Sequence, residues 1–194
     1  MPNWCQNAVV LTHKDPSMTS RARDGFKEGK LLQTFIPIPR DLEDTVSGSF
    51  GDDVEEAANQ AKIVRNLSVY GYATWYDFCV DKWGTKWDVG GEGWQDIENG
   101  LQLNFESAWS PPVEAYRELE ELGFHIEAMY YEPGVGFCGE YNTGSGENTI
   151  TIQGNSDWVE ENVPEDIDHA FNISVTMSEW EEEDNEIPQL EFKS

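Results

Sequence analysis

One short segment of the sequence combines side chains that could form a chemical site. From Trp83 to Asp88 it reads Trp-Gly-Thr-Lys-Trp-Asp, so Lys86 lies close to two indole rings and a carboxylate. A lysine flanked by aromatic rings can be held by cation–π contacts. Together with Trp109, the residues Trp83, Lys86, Trp87 and Asp88 predict either a polar pocket or a structural plug. In the second interpretation the Trp rings cover the open face of a sheet.

Histidine and cysteine are too few and too widely spaced to indicate a metal site. They are His13, His125, His169, Cys5, Cys79 and Cys138. No histidine lies three or four residues from a cysteine or another histidine, the spacing that zinc sites usually show. We therefore expect free thiols, no metal and no cofactor. A nucleophilic pair of Cys5 or Cys138 with His125 remains open.

The negative charge of the chain is concentrated in its C-terminal part. The formal net charge is −26. Residues 1–117 hold 18 acidic and 11 basic residues, whereas residues 118–194 hold 20 acidic residues and only Lys193. Such a surface repels nucleic-acid phosphates and anionic membranes, and it favours basic protein surfaces. We expect a basic protein partner and no membrane contact, with direct binding of nucleic acid disfavoured.

Two clusters of carboxylates form the candidate binding surface. The first comprises Glu160, Glu161, Glu165, Asp166 and Asp168, and the second comprises Glu179, Glu181, Glu182, Glu183, Asp184 and Glu186. Trp158 and Trp180 lie beside them and could anchor a contact. Three interpretations are open: a solvated face, a docking surface for a basic partner, or mimicry of nucleic-acid phosphates.

Membrane insertion and secretion are not indicated. No run of apolar residues approaches the roughly 18 that a membrane span needs. The first residues, Met1 to Asn7, contain neither a basic region nor an apolar stretch, so they do not resemble a signal peptide. We expect a soluble, cytoplasmic protein.

Hydrophobic periodicity predicts a mixture of strands and helices. The predicted strands are Asn3–Thr12, Leu101–Trp109, Phe124–Tyr130, Thr149–Gln153, Ile173–Met177 and an edge strand Ile187–Phe192. The predicted helices are Pro16–Lys30, Asp53–Leu67, Thr74–Lys82, a helix capped by Ser110 and a short helix after Asp157. Residues 31–38 form an apolar stretch, which Pro37–Pro39 is predicted to end as an extended or turn segment. Residues 89–94 are predicted to form a Gly-rich loop.

This order predicts an α+β fold with a ferredoxin-like core, in which helices pack on one face of an antiparallel sheet. We expect the ferredoxin-like domain to span residues 1–145. Residues 146–194 are expected to be a strand-rich acidic extension that packs on the same sheet or continues it.

Five short motifs resemble those of a known family. They are Pro2–Asn7, Phe35–Pro39, Trp83–Asp88, Ala108–Pro112, and Tyr131–Gly134 with Phe137–Tyr141. In this order they resemble the YubB-like ferredoxin-fold proteins of bacteriophages and conjugative plasmids. The resemblance covers about residues 2–141, and it implies a ferredoxin-like core and a mobile-element origin. It implies no reaction.

Three functional hypotheses follow. The first is a phage- or plasmid-encoded accessory protein that binds a basic host protein, with inhibition of a defence or nucleic-acid-handling factor by DNA-mimic-like electrostatics as one version. The second is a small enzyme with its site around Trp83–Asp88, for which Lys86→Ala and Asp88→Ala would abolish function without changing the melting temperature. The third is a nucleic-acid binder that uses the open sheet face.

Overall fold

The sheet of this protein contains strands from both halves of the chain. The structure is a computed structural model that describes residues 3–45 and 52–186, with side chains through Glu183. Its strands are β1 (Trp4–Thr12), β2 (Trp94–Ile97), β3 (Gly100–Ala108), β4 (His125–Glu132), β5 (Phe137–Asn142) and β6 (Gly146–Thr151). They form one antiparallel sheet in the order β2-β3-β1-β4-β5-β6.

Several of the helices begin at a residue whose side chain caps the first turn. They are α1 (Pro16–Lys27), α2 (Leu31–Phe35), α3 (Arg40–Glu43), α4 (Asp53–Tyr70), α5 (Trp75–Lys82), α6 (Val113–Glu121), α7 (Ser156–Asn162), α8 (Glu165–Phe171) and α9 (Ile173–Glu186). The side chains of Asp15, Asp52 and Thr74 accept hydrogen bonds from the first turns of α1, α4 and α5. These caps satisfy N–H groups that have no partner within the helix.

The first four strands have the connectivity of a ferredoxin-like fold. Helices α1–α5 connect β1 to β2, and α6 connects β3 to β4. Each connection joins two strands that run in the same direction and have one antiparallel strand between them. The β5–β6 hairpin then extends the sheet beyond β4. The predicted α+β, ferredoxin-like fold class is confirmed.

The two faces of the sheet pack against different helices. On one face, Val9 and Leu11 of β1 join the main core with residues of α1 and α6. On the other face, Tyr131 and Cys138 form a smaller core with α7, α8 and α9, to which Ile173 contributes. The last three helices therefore lie on the side of the sheet opposite α1 and α6.

The C-terminal part is less rich in strands than predicted. Within residues 146–186, which the structure describes, only β6 is a strand, and the predicted strand Ile173–Met177 is the first part of α9. The buried Asp168 carboxylate accepts hydrogen bonds from the backbone N–H and the hydroxyl of Ser174, both at 2.7 Å, which favours a helix start. The predicted edge strand Ile187–Phe192 lies outside the described residues.

Smaller differences occur where local patterns were weak. Residues 31–35, for which the sequence indicated only an apolar stretch, are helical, and Asp88 provides acceptors for the first turn of α2. Helix α6 begins at Val113, and the Ser110 hydroxyl donates instead to the Gly84 carbonyl at 2.6 Å. Strands β2 and β5 were not predicted. Within the described residues, no helix is both long and apolar enough to cross a membrane.

Candidate functional site

The Trp83–Asp88 segment follows α5 and lines a cleft of about 450 Å³. The lining residues are Gly29, Lys30, Gln33, Ile38, Glu43, Trp75, Cys79, Trp83, Lys86, Trp87 and Asp88. Four of the five predicted pocket residues therefore lie together. Trp109 does not line the cleft, and 58% of its surface is exposed.

Trp83 is the buried wall of this cleft. Only 2% of its surface is exposed, and its ring packs edge-to-face against Phe78. Its indole N–H donates to the carbonyl of Ile36 at 3.0 Å. This bond ties the end of α5 to the chain after α2. Trp83 therefore holds the two sides of the cleft together.

The carboxylate of Asp88 accepts hydrogen bonds that stabilise the fold. Its two oxygens accept hydrogen bonds from the backbone N–H groups of Leu32, Gln33 and Val89 at 2.7–2.9 Å. Burial raises the pKa of the Asp88 carboxyl, and the three N–H groups oppose that rise. A carboxylate engaged in this way is not a free general base.

Lys86 is the most available polar group contributed by the segment. Its ammonium lies 4.9 Å from the centre of the Trp87 ring and 5.8 Å from that of Tyr76. Its aromatic neighbours are thus one Trp and one Tyr, because Trp83 is turned into the core. Within residues 3–45 and 52–186 the Lys86 ammonium has no carboxylate partner within 4 Å.

Hydrogen bonds connect this segment to the end of β3. The Thr85 hydroxyl donates to the Ala108 carbonyl at 3.0 Å, and the Ser107 hydroxyl donates to the Ser110 carbonyl at 2.7 Å. Together with the Ser110–Gly84 bond, these contacts fix two of the family-like motifs against each other. The motif residues that make these bonds therefore build the framework of the site.

Three aromatic residues beside this framework lie on the surface: Trp4, Trp87 and Trp109. Trp4 and Trp87 contact each other with ring centres 5.7 Å apart, and they are 42% and 39% exposed. Trp109 follows Ala108, the residue that pairs with Trp4 across β1 and β3. A surface aromatic cluster next to a cleft is typical of binding sites.

The three cysteines are free and buried, and Cys79 lies against the cleft. Burial raises the pKa of the Cys5 and Cys79 thiols to about 12 and that of Cys138 to about 11. Because the thiolate is the nucleophile, these groups are poor nucleophiles near neutral pH. This geometry does not support a Cys–His catalytic pair.

We expect these thiols to make the folded protein sensitive to alkali. The thiol pKa values are higher in the folded chain than the usual 9.0, so folding favours the protonated thiols. Their contribution is complete below about pH 9 and is lost as the pH rises toward about 11–12. The free energy of unfolding, measured by urea titration, should fall across this window. Rapid alkylation of the native protein at about pH 8 would contradict this assignment.

The acidic surface is formed by helices α7–α9. Its exposed carboxylates include Glu160, Glu161, Glu165, Asp166, Glu179, Glu182 and Glu183. Two residues of the predicted acidic surface instead make hydrogen bonds within the fold. Asp168 is buried at the start of α9, and Glu181 accepts hydrogen bonds from the N–H and hydroxyl of Ser156 at 2.9 Å. The side chains of Asp184 and Glu186 lie outside the described part of the chain.

Two other kinds of site considered from the sequence are a metal site and a nucleic-acid-binding face of the sheet. In the described residues, no three His, Cys, Asp or Glu side chains are grouped so that they could hold a metal ion. The open part of the sheet, opposite α1 and α6, presents Gln6, Gln102, Asn104 and Glu106. Trp4, which alternates with Gln6 on β1 and is 42% exposed, adds one aromatic ring at the end of this face. None of these strand residues is a cation, which phosphate binding would require.

Seven residues of the cleft were missed from the sequence as members of one site: Gly29, Lys30, Gln33, Ile38, Glu43, Trp75 and Cys79. They come from α2, α3, α5 and the adjoining loops. Their spacing in the sequence does not indicate that they belong to one site, because only the packing of α2 and α3 beside α5 brings them together. The Pro-containing segment 35–39 and the aromatic stretch after Tyr70 were the nearest indications.

Comparison with known proteins identifies the family of this chain. A model of the ferredoxin-like domain in Api92-like proteins matches residues 82–191, which include β2–β6 and α6–α9. A crystal structure of the protein api92 from Yersinia pseudotuberculosis is similar, with 14% identity and a TM-score of 0.41, covering 80% of this chain and 99% of that chain. No curated protein matches. Since the matched region exceeds half of the sequence, the chain belongs to the family of ferredoxin-like domains in Api92-like proteins.

Proposed function

We propose that this protein is an acidic accessory protein of a bacteriophage or plasmid that binds a basic host protein in the bacterial cytoplasm. The observation that carries the proposal is the acidic surface of α7–α9. No Lys or Arg occurs between Glu118 and Phe192, so no lysine or arginine within these helices offsets their carboxylates. The mobile-element origin rests on the resemblance to YubB-like proteins.

The surface has the two components that an electrostatic interface needs. Exposed carboxylates steer a cationic partner and accelerate association. Exposed apolar side chains supply affinity once the partner is in contact. On α9, Val175 and Trp180 are both 55% exposed and lie beside Glu179 and Glu182. We infer that Trp180 anchors the partner and that the carboxylates select for positive charge.

A basic nucleic-acid-handling or defence protein is the partner class that we favour. B-form DNA carries about one charge per 1.7 Å of its axis, and such proteins have surfaces adapted to that density. In a DNA-mimic version of the proposal, the exposed carboxylates of α7–α9 take the place of these phosphates. In this version the protein would occupy the DNA-binding surface of its partner, so duplex DNA and this protein would compete.

The proposal is tested by neutralising carboxylates that have no structural task. In the variant Glu160→Gln/Glu161→Gln/Glu179→Gln/Glu182→Gln, four exposed acids become amides while the fold contacts remain. Host lysate is passed over immobilised protein at about 50 mM and about 500 mM salt, and retained proteins are identified. We expect a basic partner that is held at low salt, is released at high salt and binds the variant at least about tenfold more weakly.

The matched control removes the same charge from other parts of the molecule. Glu55, Glu92, Glu98 and Glu121 are exposed and lie outside α7–α9, so their replacement by Gln changes the net charge equally. This control should bind the partner within about twofold of the natural protein. Equal loss in both variants would refute a specific surface. A partner that duplex DNA does not displace would refute the DNA-mimic version.

A further inference from the structure

The cleft beside Trp83 contains the ammonium groups of Lys30 and Lys86, and an electrostatic attraction connects Lys30 with the Asp88 carboxylate. Among the described residues, neither Lys30 nor Lys86 has a carboxylate oxygen within 4 Å. The Asp88 carboxylate is occupied by three backbone N–H groups. Glu43, which is exposed, is the other carboxylate of the lining. The cleft therefore offers a ligand two cations and one accessible carboxylate.

The remaining surface of the cleft is aromatic. Trp75 and Trp83 line it, and Trp87 continues toward Trp4, 5.7 Å away between ring centres. Its volume of about 450 Å³ is in the range of small-molecule sites, which is about 300–1,000 Å³. Flat indole rings bind planar conjugated rings by stacking, largely independently of the ring's identity.

We propose that this cleft binds a mononucleotide. The base stacks on the half-buried ring of Trp75 and the exposed ring of Trp87. The phosphate is contacted by Lys30 and Lys86, since ammonium groups form charge-assisted hydrogen bonds with phosphate oxygens. Glu43 accepts a hydrogen bond from an amino group of the base, because an ionised carboxylate is only an acceptor. One ligand thus uses the aromatic, cationic and acidic parts of the lining together.

Other ligand classes use the cleft less completely. Inorganic phosphate would leave the rings of Trp75 and Trp87 without a role. A metal cation would be repelled by Lys30 and Lys86. A long nucleic acid has many phosphates, which the acidic C-terminal half of the chain would repel. A mononucleotide has a single phosphate group, which would lie at the less acidic half. The cleft lies on the α1 and α6 side of the sheet, so this proposal is independent of the surface on α7–α9.

The direct test is a set of titrations with AMP, GMP, CMP and UMP, their nucleosides, and inorganic phosphate. Binding is followed by calorimetry and by the fluorescence of the cleft Trp residues. We expect saturable binding of mononucleotides. Nucleosides should bind at least about tenfold more weakly because they lack the charge-assisted contacts. Inorganic phosphate should also bind at least about tenfold more weakly because it cannot stack.

Variants assign each part of the lining to a part of the ligand. Lys30→Ala/Lys86→Ala should weaken mononucleotides about tenfold or more while leaving nucleosides unchanged. Lys62→Ala is the control, because Lys62 is exposed on α4 and lies outside the cleft. Glu43→Gln should weaken AMP, GMP and CMP relative to UMP, which has no amino group.

Three results would overturn the proposal. One is the absence of saturable binding of any mononucleotide up to about 5 mM. The second is inorganic phosphate binding as tightly as mononucleotides, which would indicate an anion site without base recognition. The third is equal binding by the Lys62→Ala control and the Lys30→Ala/Lys86→Ala variant. Melting temperatures of all variants, measured in parallel, ensure that the comparison concerns folded protein.

Discussion

Replacing Trp83 by Ala should lower the free energy of unfolding by about 3–5 kcal/mol, the range for large aromatic side chains in cores. The side chain is 2% exposed, so its removal leaves a cavity between α5 and the chain after α2. It also leaves the Ile36 carbonyl without the indole N–H that it accepts at 3.0 Å. Urea denaturation followed by circular dichroism measures the loss.

Two control substitutions separate the parts of this effect. Trp83→Phe keeps most of the apolar volume but lacks the N–H donor, so it should cost clearly less than Trp83→Ala. Trp87→Ala should cost less than about 1 kcal/mol, because Trp87 is 39% exposed and contacts mainly Trp4 and Lys86. If Trp83→Ala and Trp87→Ala were equally destabilising, the assignment of Trp83 to the core and Trp87 to the surface would be wrong.

Replacing Asp88 by Ala should cost about 2–4 kcal/mol, because three backbone N–H groups lose their acceptor at once. Two of them, on Leu32 and Gln33, belong to the first turn of α2. We expect that turn to loosen and the cleft to lose its wall at Lys30. Thermal and urea unfolding measure the stability, and hydrogen exchange of the α2 amides measures the local effect.

Lys86→Ala is the matched comparison for Asp88→Ala. Among the described residues, the Lys86 ammonium makes cation–π contacts and no ion pair within 4 Å, so its removal should change stability by less than about 0.5 kcal/mol. A catalytic role for both residues would instead predict that both variants stay stable and lose function. Unchanged stability of Asp88→Ala would contradict the capping role and would favour the enzymatic hypothesis.

This pair of residues shows how one sequence motif can hold two kinds of side chain. Asp88 and Trp83 make the hydrogen bonds that shape the cleft. Lys86 and Trp87 lie on its accessible side. The interpretations of the segment as a pocket and as a plug therefore describe different residues of the same segment. The proposed nucleotide site uses only the accessible ones and depends on the others for its shape.

The sequence by itself determined the elements whose pattern is local. Strands β1 and β3 show alternation over nine residues each, and α5 has a Thr74–Asp77 capping box at its start. These signals need no distant partner, and the order of the elements was sufficient to indicate the ferredoxin-like core. The concentration of charge after Arg117 was likewise determined by the sequence alone.

The tertiary structure decided the features that depend on a distant partner. Residues 173–177 fit a strand by alternation, but Ile173 and Met177 also fit one face of a helix, and the acceptor at Asp168 favours the helix. Asp168 and Glu181 are part of the acidic sequence but not of a free acidic surface, because each binds a serine elsewhere on these helices.

The cleft also depends on contacts between residues that are distant in the sequence. The sequence indicated Trp83–Asp88, but only the packing of α2 and α3 beside α5 adds Lys30 and Glu43. Side chains that are more than forty residues apart meet there because the hydrogen bonds from Trp83 to Ile36 and from the first turn of α2 to Asp88 close the loop between them. Periodicity reports local geometry, whereas a site assembled across the chain depends on such long-range contacts.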